Sequence, residues 1–282
     1  MNNMQNPSKF CFSTLALGKN YRALALELAK DLAQFAPNIP FVILTDNPQD
    51  FQEMSNVLAF PHQQQSIGCY HDKLFVIEKG LSLFNSCIFM DADMRILAPI
   101  TDALNWQPGI TAKIAWHNIV KHNKNPREIE IFQKVAQKFN LQLEDITFVH
   151  ECLFVVTRDE GREIDFIETW KRMAAYCELN KYYRGEGHSI GLAAAKSGLK
   201  IRTDSMEYIS FFKDKLEWQK IKNGETDIQE KSVYIQRQKE LEYPQISLFE
   251  RVIKKLFKII MYLYRSIKLK IYSLTDIRFF YG

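Results

Sequence analysis

Short apolar runs alternate with amphipathic stretches through the first 200 residues. Apolar runs at 9–17 and 41–45 predict two strands, and between them Leu24, Leu28 and Leu32 recur at helical spacing. A strand, a helix and a second strand over residues 9–45 are typical of a parallel α/β unit.

The same alternation continues to about residue 202. It predicts helices at 73–83, 127–139, 164–179 and 187–197, and strands at 86–90, 111–116, 152–156 and 200–202, while 61–68 has the composition of a loop. We therefore predict an α/β sandwich with a mostly parallel central sheet. The apolar periodicity weakens near Asn223, so we predict a main domain over residues 1–225 and a C-terminal extension over 226–282.

Residues 247–272 form one broad apolar face at spacings of three and four, which predicts a C-terminal amphipathic helix. Residues 245–282 carry eight Lys and Arg against two acidic residues, although the whole chain has a net charge of only +4. The rest of the chain is therefore slightly acidic. The pattern suits a helix lying on an anionic membrane surface, and the alternative is a helix packed on the body or on a second subunit. Nucleic-acid binding is not expected.

Composition adds expectations about location. The polar residues 1–9 predict no signal peptide, and no apolar run reaches the ~18 residues that span a bilayer. Five scattered cysteines without CxxC spacing indicate buried thiols in a reducing compartment. We expect a cytoplasmic protein, peripheral on the inner face of the membrane.

Two carboxylates follow the apolar strand 86–90 directly, at Asp91 and Asp93. Residues i and i+2 that leave a strand can point the same way, and α/β sheets bind ligands at this end of their strands. Two such oxygen ligands suit Mg²⁺ or Mn²⁺, which in turn binds a diphosphate. The alternative is a strand-end turn with two solvated carboxylates.

Residues 72–80, Phe84 and 87–93 together resemble the central segment of GT-A glycosyltransferases, the nucleotide-diphospho-sugar transferases, and the similarity extends over residues 9–215. It is closest to retaining families that use UDP-sugars, but the late His-x-x-Gly-x-x-Lys-Pro motif of family 8 is absent. The resemblance implies a GT-A fold and a metal-dependent transfer of a sugar from a nucleoside-diphosphate donor, UDP above all. A hydroxyl of a lipid-linked or cell-surface glycan would be the acceptor.

The resemblance also implies roles for individual residues. Asp93 ligates the metal directly, and Asp91 contacts the metal or the donor ribose. The loop after the first strand lines the nucleotide, and Lys73 reaches the donor. The donor-binding set that we predict is Thr14, Ala16, Gly18, Asp46, Lys73 and Asp91.

Three further residues are candidates for the chemistry. Glu151 begins the strand 152–156 and is a candidate base, nucleophile or acceptor contact, with a solvated strand-entry carboxylate as the alternative. Glu186 opens a predicted helix in a glycine-rich segment, where Gly185 and Gly187 allow a ligand to approach the backbone, and we predict that it lies near the donor sugar. His188 is a candidate metal ligand or contact to the diphosphate, and a histidine on the helix surface without a metal is the alternative.

Three other functions remain to be weighed. A sugar nucleotidyltransferase of similar fold needs a glycine-rich N-terminal loop, of which Gly18 and Lys19 are only a trace. A haloacid-dehalogenase-type phosphatase needs Thr or Val two positions after its second aspartate, where this chain has Arg95. A non-catalytic peripheral membrane-binding module explains the tail but not the aspartate pair.

Overall fold

The computed structural model describes residues 9–123, 125–245 and 247–282, so most of the N-terminal segment in which we expected no signal peptide lies outside the described residues. The strands, in chain order, are β1 Phe10–Ala16, β2 Phe41–Thr45, β3 Val57–Pro61, β4 Ser86–Met90, β5 Arg95–Ile96, β6 Gly109–Ala112, β7 Ala115–His117, β8 Thr147–Val149, β9 Leu153–Thr157, β10 Ile201–Thr203 and β11 Phe211–Phe212. The helices are α1 Lys19–Phe35, α2 Lys73–Leu83, α3 Ile119–His122, α4 Pro126–Lys138, α5 Arg162–Leu179, α6 Glu186–Ser197, α7 Asp214–Lys222, α8 Ile228–Glu242, α9 Leu248–Ser273 and α10 Ile277–Tyr281.

The chain divides into two compact units, each built from separate stretches of sequence. The first contains the chain up to Gln63 together with Phe75–Gln107 and Ser205–Pro244. The second contains Gln64–Leu74, Pro108–Asp204 and Gln245–Gly282. The boundary that we predicted at residue 225 stays a prediction.

The first unit is built on four parallel strands in the order β4-β1-β2-β3. β2 and β4 are buried at every position and β1 at all but one, which explains why they read as continuous apolar runs. Ala16 pairs with Thr45, and Ser13 pairs with Phe89. The carboxyl ends of β1, β2 and β4 therefore meet at one edge. Helix α1 packs on this layer through a face that includes Leu24, Leu28 and Leu32.

In the second unit, β6 pairs antiparallel with β9 and parallel with β10, and β7 and β8 form a separate antiparallel pair. Helix α6 packs against both α5 and β8. Gly187 and Gly191 make the contact with β8 possible, because a Cβ atom on either would come 2.3 Å from the carbonyl oxygen of Val149 or 2.0 Å from that of Thr147. The close approach that we predicted at Gly187 is thus made to a strand of the protein.

The predicted α/β class, the mostly parallel strands and the long C-terminal helix are confirmed. The predicted strand 111–116 is two strands, because β6 pairs with β9 whereas β7 turns away to pair with β8. β3 was not predicted: its apolar run at 57–60 is short and is followed directly by Pro61, and the strand is half-exposed. Across the described residues, no helix combines the length and apolarity needed to cross a membrane.

Candidate functional site

The carboxyl ends of β1 and β2 are joined through Gly18 and Asp46. Gly18 precedes α1 with φ 81°, a conformation that glycine adopts without strain. Its backbone N–H donates to Asp46 Oδ1 at 3.0 Å, and Arg22 donates to the same oxygen at 2.7 Å. Arg22 also pairs with Asp50 at 2.6 Å. The structure therefore brings together two of the predicted donor-binding residues and adds a cation that the sequence analysis did not single out.

Thr14 and Ala16 lie within β1, and both are fully buried. The Thr14 hydroxyl donates to the carbonyl oxygen of Met90 at 2.7 Å. This bond ties β1 to the last residue of β4, directly before Asp91. Their place in the core is clear, and their contacts with a donor stay predictions.

Asp91 and Asp93 follow β4 and share one cation, the ammonium group of Lys213. Lys213 Nζ lies 3.0 Å from Asp91 Oδ2 and also donates to Asp93 Oδ1. Burial alone would lower the pKa of Lys213, but the two carboxylates raise it well above its ordinary value, so the lysine stays charged. The carboxylates of the two predicted aspartates thus converge on one positively charged group, the ammonium group of Lys213.

Helix α8 contacts the second carboxylate oxygen of Asp93. Gln238 donates to Asp93 Oδ2 at 3.3 Å and to the Glu242 carboxylate at 3.4 Å. A small pocket beside Asp93 is lined by Ala92, Arg95, Tyr234 and Gln238, among others. Burial raises the pKa of Asp93, Lys213 opposes this rise, and Asp91 and Glu242 add to it. The same pocket is lined by Glu27, Arg95 and Arg237, so acidic and basic side chains both surround Asp93.

The donor set of the aspartate pair fits Mg²⁺ or Mn²⁺. Within the described residues no group of three or more His, Cys, Asp or Glu side chains is placed to hold a metal ion. Mg²⁺, however, is commonly held by one or two carboxylates together with substrate phosphates, and a full protein cage is not required. Asp91 and Asp93 supply those two carboxylates.

In the second unit, Lys73 and Glu186 form a buried ion pair. Lys73 Nζ lies 3.2 Å from Glu186 Oε1, with side-chain exposures of 10% and 5%. Lys73 also donates to the backbone carbonyl oxygen of Glu151 at 3.4 Å. Removing one partner of a buried pair strands a charge and costs about 3–5 kcal/mol. The structure therefore brings together the three predicted residues Lys73, Glu151 and Glu186, and their chemical roles stay predictions.

His188 lies among aromatic rings. Its imidazole stacks on Phe132 with ring centroids 4.5 Å apart and meets Phe148 edge-on at 4.9 Å. Its Nε2 lies 3.3 Å from the Asn123 amide nitrogen. Burial lowers the pKa of His188 to about 4, so the ring is neutral at pH 7. Its predicted role as a metal ligand stays a prediction.

Comparisons with known proteins give little further guidance. No protein-family model matches the sequence, and no curated protein matches it. Among solved structures, the chain is similar to the galactosyltransferase LgtC in complex with donor and acceptor sugar analogues. The two chains are 11% identical, the similarity covers 68% of this chain and 72% of that one, and the TM-score is 0.46. At that level the similarity carries no argument about function, which has to rest on the residues of this chain.

Sequence reasoning missed Lys213 and Gln238. They lie 120 and 145 residues from Asp93, at the start of α7 and within α8. α7 ends directly before Asn223, where the apolar periodicity weakens, and α8 lies in the segment after it. A signal was present for α8, because Tyr234, Gln238 and Leu241 share one helical face, and all three line the pocket beside Asp93.

Proposed function

We propose that this protein is a glycosyltransferase that moves a sugar from a nucleoside diphosphate, UDP above all, to a hydroxyl acceptor. The observation that carries the proposal is the pair Asp91 and Asp93 at the carboxyl end of β4, converging on a single cation at the ligand-binding edge of parallel strands. Gly18 and Asp46 lie at the same edge, after β1 and β2. A strand-end turn with two solvated carboxylates does not have this convergence.

We further propose that Asp91 and Asp93 hold Mn²⁺ or Mg²⁺ together with the donor. The bound ion supplies positive charge to the departing diphosphate. The residues of the chain do the positioning: the Asp46 carboxylate, fixed by Gly18 and Arg22, is available to a ribose hydroxyl at the strand edge. We propose that Glu186 positions the donor sugar and that Glu151 positions the acceptor hydroxyl.

The C-terminal helix supports a proposal about the acceptor. Large apolar side chains of α9 remain exposed, among them Leu248 at 78%, Phe257 at 63% and Ile260 at 62%. Exposed Lys254, Lys255 and Lys258 lie on the same helix. Apolar side chains with interspersed lysines suit the headgroup region of an anionic membrane. We propose that α9 brings the enzyme to a lipid-linked acceptor on the inner face of the cell membrane.

The function is tested by a donor screen. Two quantities are measured for UDP-, GDP- and other nucleotide sugars, with Mn²⁺ and with EDTA: the thermal stabilisation of the protein by the sugar, and the hydrolysis of the sugar. The proteins compared are wild type, Asp93→Asn and the control Asp102→Asn, which changes an exposed carboxylate elsewhere in the first unit. We expect one donor to stabilise wild type and control only with Mn²⁺. Asp93→Asn should lose this effect and about 100-fold or more of the activity, the usual scale for removing transition-state charge stabilisation.

Two other results would redirect the proposal. Stabilisation by a nucleoside triphosphate with a sugar 1-phosphate, and no donor hydrolysis, would favour the nucleotidyltransferase. If no nucleotide sugar binds with or without metal, the aspartate pair is not a donor site.

A further inference from the structure

Lys213 reaches the aspartate pair because two short strands deliver it there. β11 pairs antiparallel with β5, with Phe212 opposite Arg95, and Lys213 is the next residue after β11. β5 begins two residues after Asp93. Lys213 is 8% exposed, so most of its side chain is enclosed where it meets the carboxylates. The lysine is thus part of the fold at this site and differs from a solvated surface lysine that meets an acid by chance.

The ammonium group uses the same kind of oxygen atoms that a divalent cation needs. Asp91 Oδ2 and Asp93 Oδ1 both accept from Lys213, and Asp93 Oδ2 accepts from Gln238. Two cations that share these oxygens repel each other strongly in a partly buried site. Lys213 and a metal ion therefore cannot both keep the same two contacts.

We infer that Lys213 is an exchangeable counter-ion of Asp91 and Asp93. A divalent cation replaces the Lys213 ammonium group at the two carboxylates, and the released ammonium group then binds the donor diphosphate. The inference rests on the proposed function. Two carboxylates and one ammonium carry a net charge of −1, which repels a diphosphate. Adding a divalent cation brings the sum to +1, which attracts it. The released ammonium is a donor for phosphate oxygens beside the metal.

The inference predicts opposite effects of one substitution on two ligands. Mn²⁺ binding to the full chain without donor is measured by calorimetry for wild type, Lys213→Met and the control Lys215→Met, which changes an exposed lysine two residues further on, in α7. We expect Lys213→Met to bind Mn²⁺ at least tenfold more tightly and Lys215→Met to match wild type. With saturating Mn²⁺, we expect Lys213→Met to bind UDP at least tenfold more weakly.

If Lys213 had only a structural role, its replacement would weaken the binding of Mn²⁺ and the binding of UDP together. Equal or weaker Mn²⁺ binding by Lys213→Met overturns the inference, and so does unchanged UDP binding. Because Met leaves two carboxylates without their counter-ion, Lys213→Gln serves as a second variant that keeps one donor. We also expect the melting temperature of either variant to fall in EDTA and to rise with Mn²⁺ by more than that of wild type, and a variant that Mn²⁺ does not rescue counts against the inference.

Asp93→Asn separates this inference from the proposed function. If Asp93→Asn loses Mn²⁺ and UDP-sugar binding while Lys213→Met behaves as wild type, the transferase proposal stands and the counter-ion exchange is wrong. If neither wild type nor Lys213→Met binds Mn²⁺ either alone or together with UDP, both are wrong.

Discussion

Glu178 on α5 is a buried carboxylate that holds a loop by its backbone. It accepts the N–H groups of Ile67 and Gly68 at 2.9 and 3.0 Å, and Asp72 accepts those of Gln65 and Ser66 at 2.7 and 2.8 Å. Burial raises the pKa of Glu178 to about 7, although the two N–H groups that it accepts act in the opposite direction. The segment that looked like a loop from its polar composition is therefore an ordered one.

The raised pKa of Glu178 makes the stability of the protein depend on pH. A carboxyl whose folded pKa lies above its unfolded value stabilises the fold fully below about pH 4.5, and this contribution is lost as pH rises through about 7. Against Glu178→Gln, which does not titrate, the free energy of unfolding of wild type should fall by on the order of 2 kcal/mol between pH 5 and pH 8. Urea denaturation at both pH values measures it. Glu168→Gln, an exposed change on the same helix, should follow wild type, and a pH-independent difference for Glu178→Gln would contradict the assignment.

Site residues could be predicted only where the neighbouring sequence carries a recognisable pattern. Asp91 and Asp93 were found because an apolar strand leads directly into them. Lys213 sits next to them in space but carries no local pattern. A lysine that follows two phenylalanines reads as an ordinary strand end. Only the pairing of β11 with β5 reveals its position.

At the scale of elements, burial decided which predictions succeeded. β2, β4 and α2 have the predicted bounds because each presents a continuous or periodic apolar pattern. β3 was missed because its apolar run at 57–60 is short, ends at Pro61 and is only half-buried. α8 was missed because its polar faces dilute the single face that packs on α1. Pairing between distant strands also split 111–116 into two elements, and no local pattern encodes that.

The packing of α6 on β8 gives a prediction at this scale. Gly191 lies on the face that touches β8, and a Cβ atom there would come 2.0 Å from the carbonyl oxygen of Thr147, where backbone has to move. We expect Gly191→Ala to destabilise the protein by about 2–3 kcal/mol, despite the better helix propensity of alanine. Thermal and urea unfolding measure the loss. Ala195→Ser, on the exposed face of α6, should change stability by less than ~0.5 kcal/mol, and an equally mild Gly191→Ala would show that α6 can shift freely.

At the scale of the whole molecule, charge and apolar surface are unevenly distributed along the chain. Residues 245–282 hold eight basic and two acidic residues, so the remainder is slightly acidic. α9 belongs to the second unit and contacts the rest of it partly through polar groups: Arg265 donates to the carbonyl oxygen of Gln64 at 3.3 Å, and the Tyr262 hydroxyl lies 3.1 Å from that of Tyr183. These contacts leave the apolar side chains of α9 uncovered, which is the property that a membrane-surface helix needs.

If α9 binds an anionic bilayer, one exposed apolar side chain should contribute measurably to binding. Burying a side chain such as Ile260 in lipid is worth about 1.5–3 kcal/mol, so Ile260→Glu should weaken binding by about tenfold or more. The measurement is sedimentation with vesicles of phosphatidylcholine, with or without phosphatidylglycerol, at low and high salt. Wild type should bind the anionic vesicles, less at high salt because the lysines are screened. Ile164→Glu, on α5, is the matched control, since Ile164 and Ile260 are 64% and 62% exposed. Light scattering of the protein without vesicles tests the alternative that α9 packs on a second copy of the chain. A wild-type dimer that Ile260→Glu dissociates, together with no binding to vesicles, would show that the apolar side chains of α9 contact that second copy.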